Sequence, residues 1–190
     1  MSAGTIYGYL YGELKEEPEL KGHFRHHRVC RKARGGAKDK RGQIPDRKLT
    51  DTRSAIVDKN IRAGDWEADT MEGAGKTAYI AAFVDKTTKL LRGKVMPDKT
   101  AATLNKAAIR AFRSIPDEYI KTVTVGNGKE FSGHKGLAQS LGCEIYFAHP
   151  CHSWKRGLPG RGSGLNEHTN GLIRQYLPKG TSFEGLTQTA

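Results

Sequence analysis

Asp69, in the segment GDWEADT (64–70), and Glu167, near the head of NEHTNGLIRQY (166–176), have the clearest claim to chemistry. Asp69 lies in a stretch that alternates as a strand does. Glu167 opens a helix-like run in which Leu172, Ile173 and Tyr176 give an apolar face. A strand carboxylate and a helix carboxylate about a hundred residues apart suit a divalent-cation site, because hard cations take carboxylate oxygens. On a strongly basic chain, the matching chemistry is cleavage of phosphodiester bonds. Taken alone, Asp69 reads as a solvated strand-end carboxylate. Glu167 alone reads as a first-turn helix residue, favoured by the positive end of the helix dipole.

Other residue types carry weaker signals. His23, His26, His27 and Cys30 form an HxxHHxxC cluster, but no second ligand pair follows at finger-like spacing. In a basic segment these side chains face nucleic acid or solvent as readily as zinc. Trp154 with Lys155 and Arg156 suits stacking on or clamping a DNA end, or covering a core edge. His149, before Pro150 at a strand end, suits orienting a substrate or a structural hydrogen bond.

The 190 residues can bury one core of moderate size. Thirty-two Lys and Arg against twenty Asp and Glu give a formal charge of +12 and a pI near 9.7. That excess points to a polyanionic partner, nucleic acid first. A ribosomal or membrane-surface protein would look similar by charge alone. No apolar run approaches the roughly 20 residues that span a bilayer, so no membrane partner is expected. Three cysteines without a CxxC pair predict a reducing cytoplasmic setting and no disulfide framework.

The elements that must position Asp69 and Glu167 follow from periodicity. Residues 3–14 read as one short helix, weakened by Gly4 and Gly8. Lys21 to Lys48 holds eleven Lys or Arg and two Asp, too polar to form a core, and reads as an extended basic arm. Arg25, Arg28, Arg31, Lys32, Arg34, Lys38, Lys40 and Arg41 are its candidate phosphate contacts. Packed structure is expected from near Ile61. Strands are predicted at 65–70, 77–85, 89–96, 119–125 and 143–148, with a tight turn at 86–88. Helices are predicted at 100–115, capped by Asp98 or Thr100, at 134–141 and at 166–177. Three strands followed by alternating helices and strands indicate an α/β fold with a mixed sheet. The domain reading is a helical remnant at 1–20, an arm or linker at 21–60 and a core at 61–190.

That order, with those carboxylates, resembles the RNase H-like catalytic core of DDE transposases and retroviral-type integrases, most closely the IS-thirty insertion-sequence family. GDWEADT resembles the family's first-Asp motif. VGNGKEF (125–131) resembles its second, YFAHPCHSW (146–154) its His-Pro strand and loop, and NEHTNGLIRQYLPKGT (166–181) its third. KRGQIPDRK (40–48) adds a further match. The resemblance implies a five-stranded RNase H-like core and metal-dependent DNA cleavage and strand transfer. It implies Asp69 and Glu167 as ligands of two Mg²⁺ or Mn²⁺ ions. Element ends and target DNA are the implied partners, with a possible homo-oligomer, in a bacterial, nucleoid-associated cytoplasmic setting.

Departures from the family pattern qualify this. Gly126 stands where the second motif has its catalytic Asp, so the implied activity is impaired; the alternative is a non-catalytic DNA-binding remnant. Asp65 and Glu67 share a strand face with Asp69 by the two-residue period, and Glu130 lies four residues on from Gly126. All three are candidates to compensate. The 40 residues between Gly126 and Glu167 exceed the family's interval, and the seven extra ones, LPGRGSG at 158–164, read as an exposed, mobile loop. Both ends look cut relative to the family.

Overall fold

The computed structural model describes Thr5, Tyr9, residues 44–149 and residues 165–186. The chain divides into two compact units, Met1–Gly42 and Gln43–Ala190. Every element labelled below belongs to the second. The predicted arm residues from Arg25 to Arg41, the His/Cys cluster, Trp154, Lys155, Arg156 and the loop at 158–164 lie outside the described residues.

Five strands form one sheet in the order β3-β2-β1-β4-β5. β1 (Asp65–Glu72), β2 (Tyr79–Asp85) and β3 (Leu91–Met96) pair antiparallel through short turns. β4 (Thr122–Val125) joins β1 in parallel, and β5 (Glu144–Phe147) joins β4 in parallel. Parallel neighbours need crossovers. α2 (Ala101–Phe112) makes the first, and α3 (His134–Leu141) the second. α4 (Leu165–Tyr176) follows β5.

Local chemistry sets the ends. Asp85 fixes the β2–β3 turn: its Oδ1 accepts from the backbone N–H groups of Thr87 (3.0 Å) and Thr88 (2.7 Å). The Thr100 hydroxyl accepts from the Thr103 N–H at 3.3 Å, capping α2, and Asp98 in turn accepts from the Thr100 N–H at 2.9 Å. Gly142 ends α3 at φ +61°, a left-handed conformation that costs glycine nothing.

The two faces of β1 diverge. Trp66 and Ala68 point into the main core with Phe83, Leu104, Phe112, Val123, Ile145 and Phe147. The alternate residues Asp65, Glu67, Asp69 and Met71 face the other side. There, Met71 joins a smaller cluster with Ala78, Ile80 and Phe183, packed against Ile173 and Leu177.

Packed structure starts earlier than the expected Ile61. Ile44 is buried in the main core, Val57 is buried on the short helix α1 (Ala55–Lys59), and Leu49 bridges to Phe147 of β5. The last part of the expected arm therefore covers the free edge of the sheet. Ile44 and Leu49 find apolar surface only once β5 exists, so local composition did not reveal them. Among the described residues no helix is long and apolar enough to cross a membrane.

Candidate functional site

The candidate site lies on the Asp65–Glu67–Asp69 face of β1, roofed by α4. Asp69 is half-buried, and its Oδ2 accepts a hydrogen bond from the Asn170 side-chain amide at 2.9 Å. α4 is fixed over this face by its other contacts. Asn166 and Thr169 are buried. Ile173 packs on the Met71 cluster. The Arg174 guanidinium donates to the Glu72 carbonyl at 2.7 Å and sits 5.3 Å from the centre of the Phe183 ring. Glu167 is exposed on the first turn of α4.

β4 bounds the site on the far side of β1. Asp65 pairs with Thr122 and Glu67 with Thr124. Continuing that register by two residues sets Gly126 beside Asp69. The alternation of β4 puts Thr122, Thr124 and position 126 on the same face as Asp69. Thr122 confirms the facing, since its hydroxyl donates to Asp65 Oδ1 at 2.8 Å.

Beneath Asp69 lies a layer of buried charge. Asp65 accepts from Arg62 Nε at 2.8 Å and Nη2 at 3.1 Å, and that bond raises the Arg62 guanidinium above its ordinary range. Arg53 donates to the Thr124 hydroxyl at 2.9 Å and pairs with Asp58. Lys86 and Glu67 face each other at 3.9 Å, with side chains 2% and 1% exposed. Burial pushes the Lys86 ammonium below its usual 10.5, and nearby Arg53 adds to this, while Glu67 and Asp58 oppose it.

The candidates to replace a carboxylate at position 126 are held elsewhere. Asp65 is engaged by Arg62 and Thr122, and Glu67 faces Lys86. Glu130 folds back over Gly128 and turns to the opposite side of the sheet. There it accepts from the Thr70 hydroxyl at 3.0 Å and pairs with Lys99 at 3.3 Å. Asn127 ties strand ends together, accepting from Arg47 at 2.5 Å and donating to the Ala148 carbonyl at 2.6 Å. His149 Nε2 lies 2.6 Å from the Asp51 carboxylate. Cys143 is buried, which pushes its thiol up to about 11 and leaves it unreactive.

A two-ion site needs several carboxylate oxygens converging on one point. Here Asp69 shares one oxygen with an amide, Glu167 points to solvent and Gly126 offers no side chain. Among the described residues no three His, Cys, Asp or Glu side chains gather into a metal-holding group. The residues present do not fit the full two-ion arrangement. Reading the sequence missed Asn170 and Lys86. Asn170 had a signal, lying three residues after Glu167 on one helix, where such pairs are neighbours. Lys86 had none, because a turn lysine shows nothing of its burial.

No family model matches the chain. Its sequence is 36% identical to the transposase for insertion sequence element IS4351 of Bacteroides fragilis, across 98% of this chain and 55% of that protein. It is 33% identical to transposase InsI for insertion sequence element IS30A of Escherichia coli K12, across 99% of this chain and 48% of that protein. The chain thus spans about half the length of the curated relatives it matches. A chain in the cryo-EM structure of the simian T-cell lymphotropic virus intasome, in complex with PP2A regulatory subunit B56 gamma, superposes with a TM-score of 0.50. That match has 18% identity and covers 62% of this chain and 42% of that one. This similarity, with the strand order, establishes an RNase H-like integrase-core fold.

Proposed function

From its 33–36% identity to insertion-sequence transposases, we propose that the chain belongs with the transposases related to that of IS30 and acts on DNA as an integrase-type core whose own cleavage and strand transfer are impaired at position 126. The observation that supports the reading is the parallel register of β4 on β1, Asp65–Glu67 against Thr122–Thr124, which points toward Asp69 for position 126 when continued by two residues. The second-motif resemblance calls for Asp at that position. Glycine leaves Asp69 without a facing carboxylate, and Asp65, Glu67 and Glu130 are engaged in other contacts.

Asp69 and Glu167 are the acidic residues the family reaction would use, with Mg²⁺ or Mn²⁺ supplying charge stabilisation at the reacting phosphate. Asn170 positions the Asp69 carboxylate, and α4 carries Glu167 at the rim. The DNA partners are element ends and target DNA. The basic arm supplies affinity through phosphates, with Trp154, Lys155 and Arg156 at a DNA end. A homo-oligomer and a cytoplasmic, nucleoid-associated location accord with this role. The second reading, DNA binding without catalysis, is favoured by the incomplete donor set.

Titration calorimetry with Mn²⁺ and a plasmid-nicking assay test the proposal. Gly126→Asp tightens Mn²⁺ binding over the unmodified protein, and Asp69→Asn in that background removes the gain. Nicking by the unmodified protein that survived Asp69→Asn would overturn the assignment of the site. Tighter Mn²⁺ binding without any nicking would leave the non-catalytic reading standing.

A further inference from the structure

One charged surface plays no part in the Asp69 site. From Lys86 to Arg113 the sequence holds eight Lys or Arg residues and a single carboxylate, Asp98. Lys86 turns inward to Glu67, and Lys99 pairs with Glu130. Lys94, Lys106 and Arg110 instead line a groove of about 520 Å³ between β3 and α2, with Val95, Pro97, Thr103, Ala107 and Leu186 as its other walls. Among the described residues no acidic side chain lines it; Asp98 lies close enough that Lys106 helps, after the bonds from Thr100 and Thr103, to hold its carboxyl below the ordinary range. Among the described residues, these three cations have no carboxylate within ion-pair distance.

The groove lies away from Asp69. Lys94 pairs across the sheet with Ala81, and Ala81 faces the main core under α2. Asp69 pairs with Ala82, whose side chain points to the α4 face. Lysine on an edge strand can serve only to block unwanted strand pairing. That does not account for Lys106 and Arg110, which come from a helix. A symmetric contact with a second copy would set the same cations against each other on a chain of formal charge +12. A polyanion suits the surface instead.

We propose that the β3–α2 groove is a second DNA contact, taking backbone phosphates of a duplex segment other than the one presented to Asp69. The inference rests on the reading of the chain as a DNA-binding protein, and extends it from the arm to the core. A protein that joins two DNA segments needs a hold on each. Carboxylates and a basic groove on opposite sheet faces separate those holds.

The test is binding of the full chain to a random-sequence duplex by fluorescence anisotropy across a salt series. The triple variant Lys94→Gln/Lys106→Gln/Arg110→Gln is compared with a charge-matched control, Lys121→Gln/Lys129→Gln/Lys179→Gln, drawn from exposed positions. Thermal melts verify that both stay folded. With roughly −0.9 in log K per log salt for each neutralised phosphate, the groove variant should flatten the slope by about 2–3, and the control by less. An unchanged slope, or an equal change in the control, would overturn the groove assignment while leaving DNA binding intact. Failure of the unmodified chain to bind duplex would overturn both readings together. Loss of polyglutamate binding with duplex binding unchanged would assign the groove to an acidic protein and sink the proposal.

Discussion

The two faces of the central sheet are made by the same strand and governed by different physics. On the α2 side, Trp66 and Ala68 of β1 meet Phe83 and Phe112. The Trp66 and Phe83 rings lie 4.9 Å and 5.1 Å from that of Phe112, edge on. On the α4 side, Asp65, Glu67 and Asp69 meet Arg62, Lys86 and Asn170. Apolar contact is non-directional, so many combinations of side chains fill the first face about equally well. Each charge on the second face needs a particular partner, since an unpaired buried charge is costly. The apolar face holds the fold, and the polar face restricts what can be done at Asp69.

The largest expected effect tests the apolar face. Phe112→Ala should lower the unfolding free energy by about 3–5 kcal/mol in urea titrations, as expected for a buried aromatic truncated to a cavity. A loss near that of a surface substitution would mean that α2 does not anchor this side.

Next comes the buried pair. Lys86→Met leaves Glu67 inside without its ammonium and should cost about 3 kcal/mol, most of it recovered when Glu67→Leu is added. If the single change is harmless, the polar layer is not held by charge pairing and the contrast between the faces fails. The pair also carries a pH signature. Burial holds Lys86 below 10.5 in the folded protein, so between its folded value and 10.5 the unfolded chain binds the extra proton. Stability should therefore gain a rising contribution as pH climbs through that window. Lys86→Met should lack it in denaturant midpoints measured against pH.

A smaller effect sharpens the comparison at the site itself. Asn170→Ala removes the donor to Asp69 and should cost about 1–2 kcal/mol, because the acceptor is ionised but only half-buried. Asn170→Asp should cost more than Asn170→Ala, because it sets a second carboxylate against Asp69. Equal losses for the two variants in urea titrations would show that the two side chains do not meet.

The smallest effect belongs to the surface. Lys48 and Glu144 pair at 2.8 Å with 60% and 52% of their side chains exposed. The Lys48 ammonium holds the Glu144 carboxyl below its ordinary range. Lys48→Ala should nevertheless change stability by under about 0.5 kcal/mol, since exposed pairs are screened by water and salt. A loss comparable with Lys86→Met would erase the distinction between buried and exposed charge.

The sequence by itself determined the elements and their order. The apolar run TAYIAAFVD before a tight turn, and the proline at 97, marked β2 and the end of β3. The spacing of Leu104, Ala108, Ala111 and Phe112 marked α2, and HKGLAQSL before Gly142 marked α3 at its observed limits. These signals are local: backbone periodicity, caps and chain-stopping glycine or proline read out over a few neighbouring residues. Asp69 and Glu167 were legible as candidates because they sit in ordered motifs on a strand and a helix. The tertiary structure alone decided the rest. It set Asn170 on Asp69 across 101 residues and turned Glu130 to the other face to meet Thr70. It buried Lys86 against Glu67, packed Ile44 into the core, and brought Lys94 of an edge strand beside Lys106 and Arg110 of a helix. Each of these depends on strand register and on which helix covers which face. Those are properties of pairs distant along the chain, and no periodicity within a single segment encodes them.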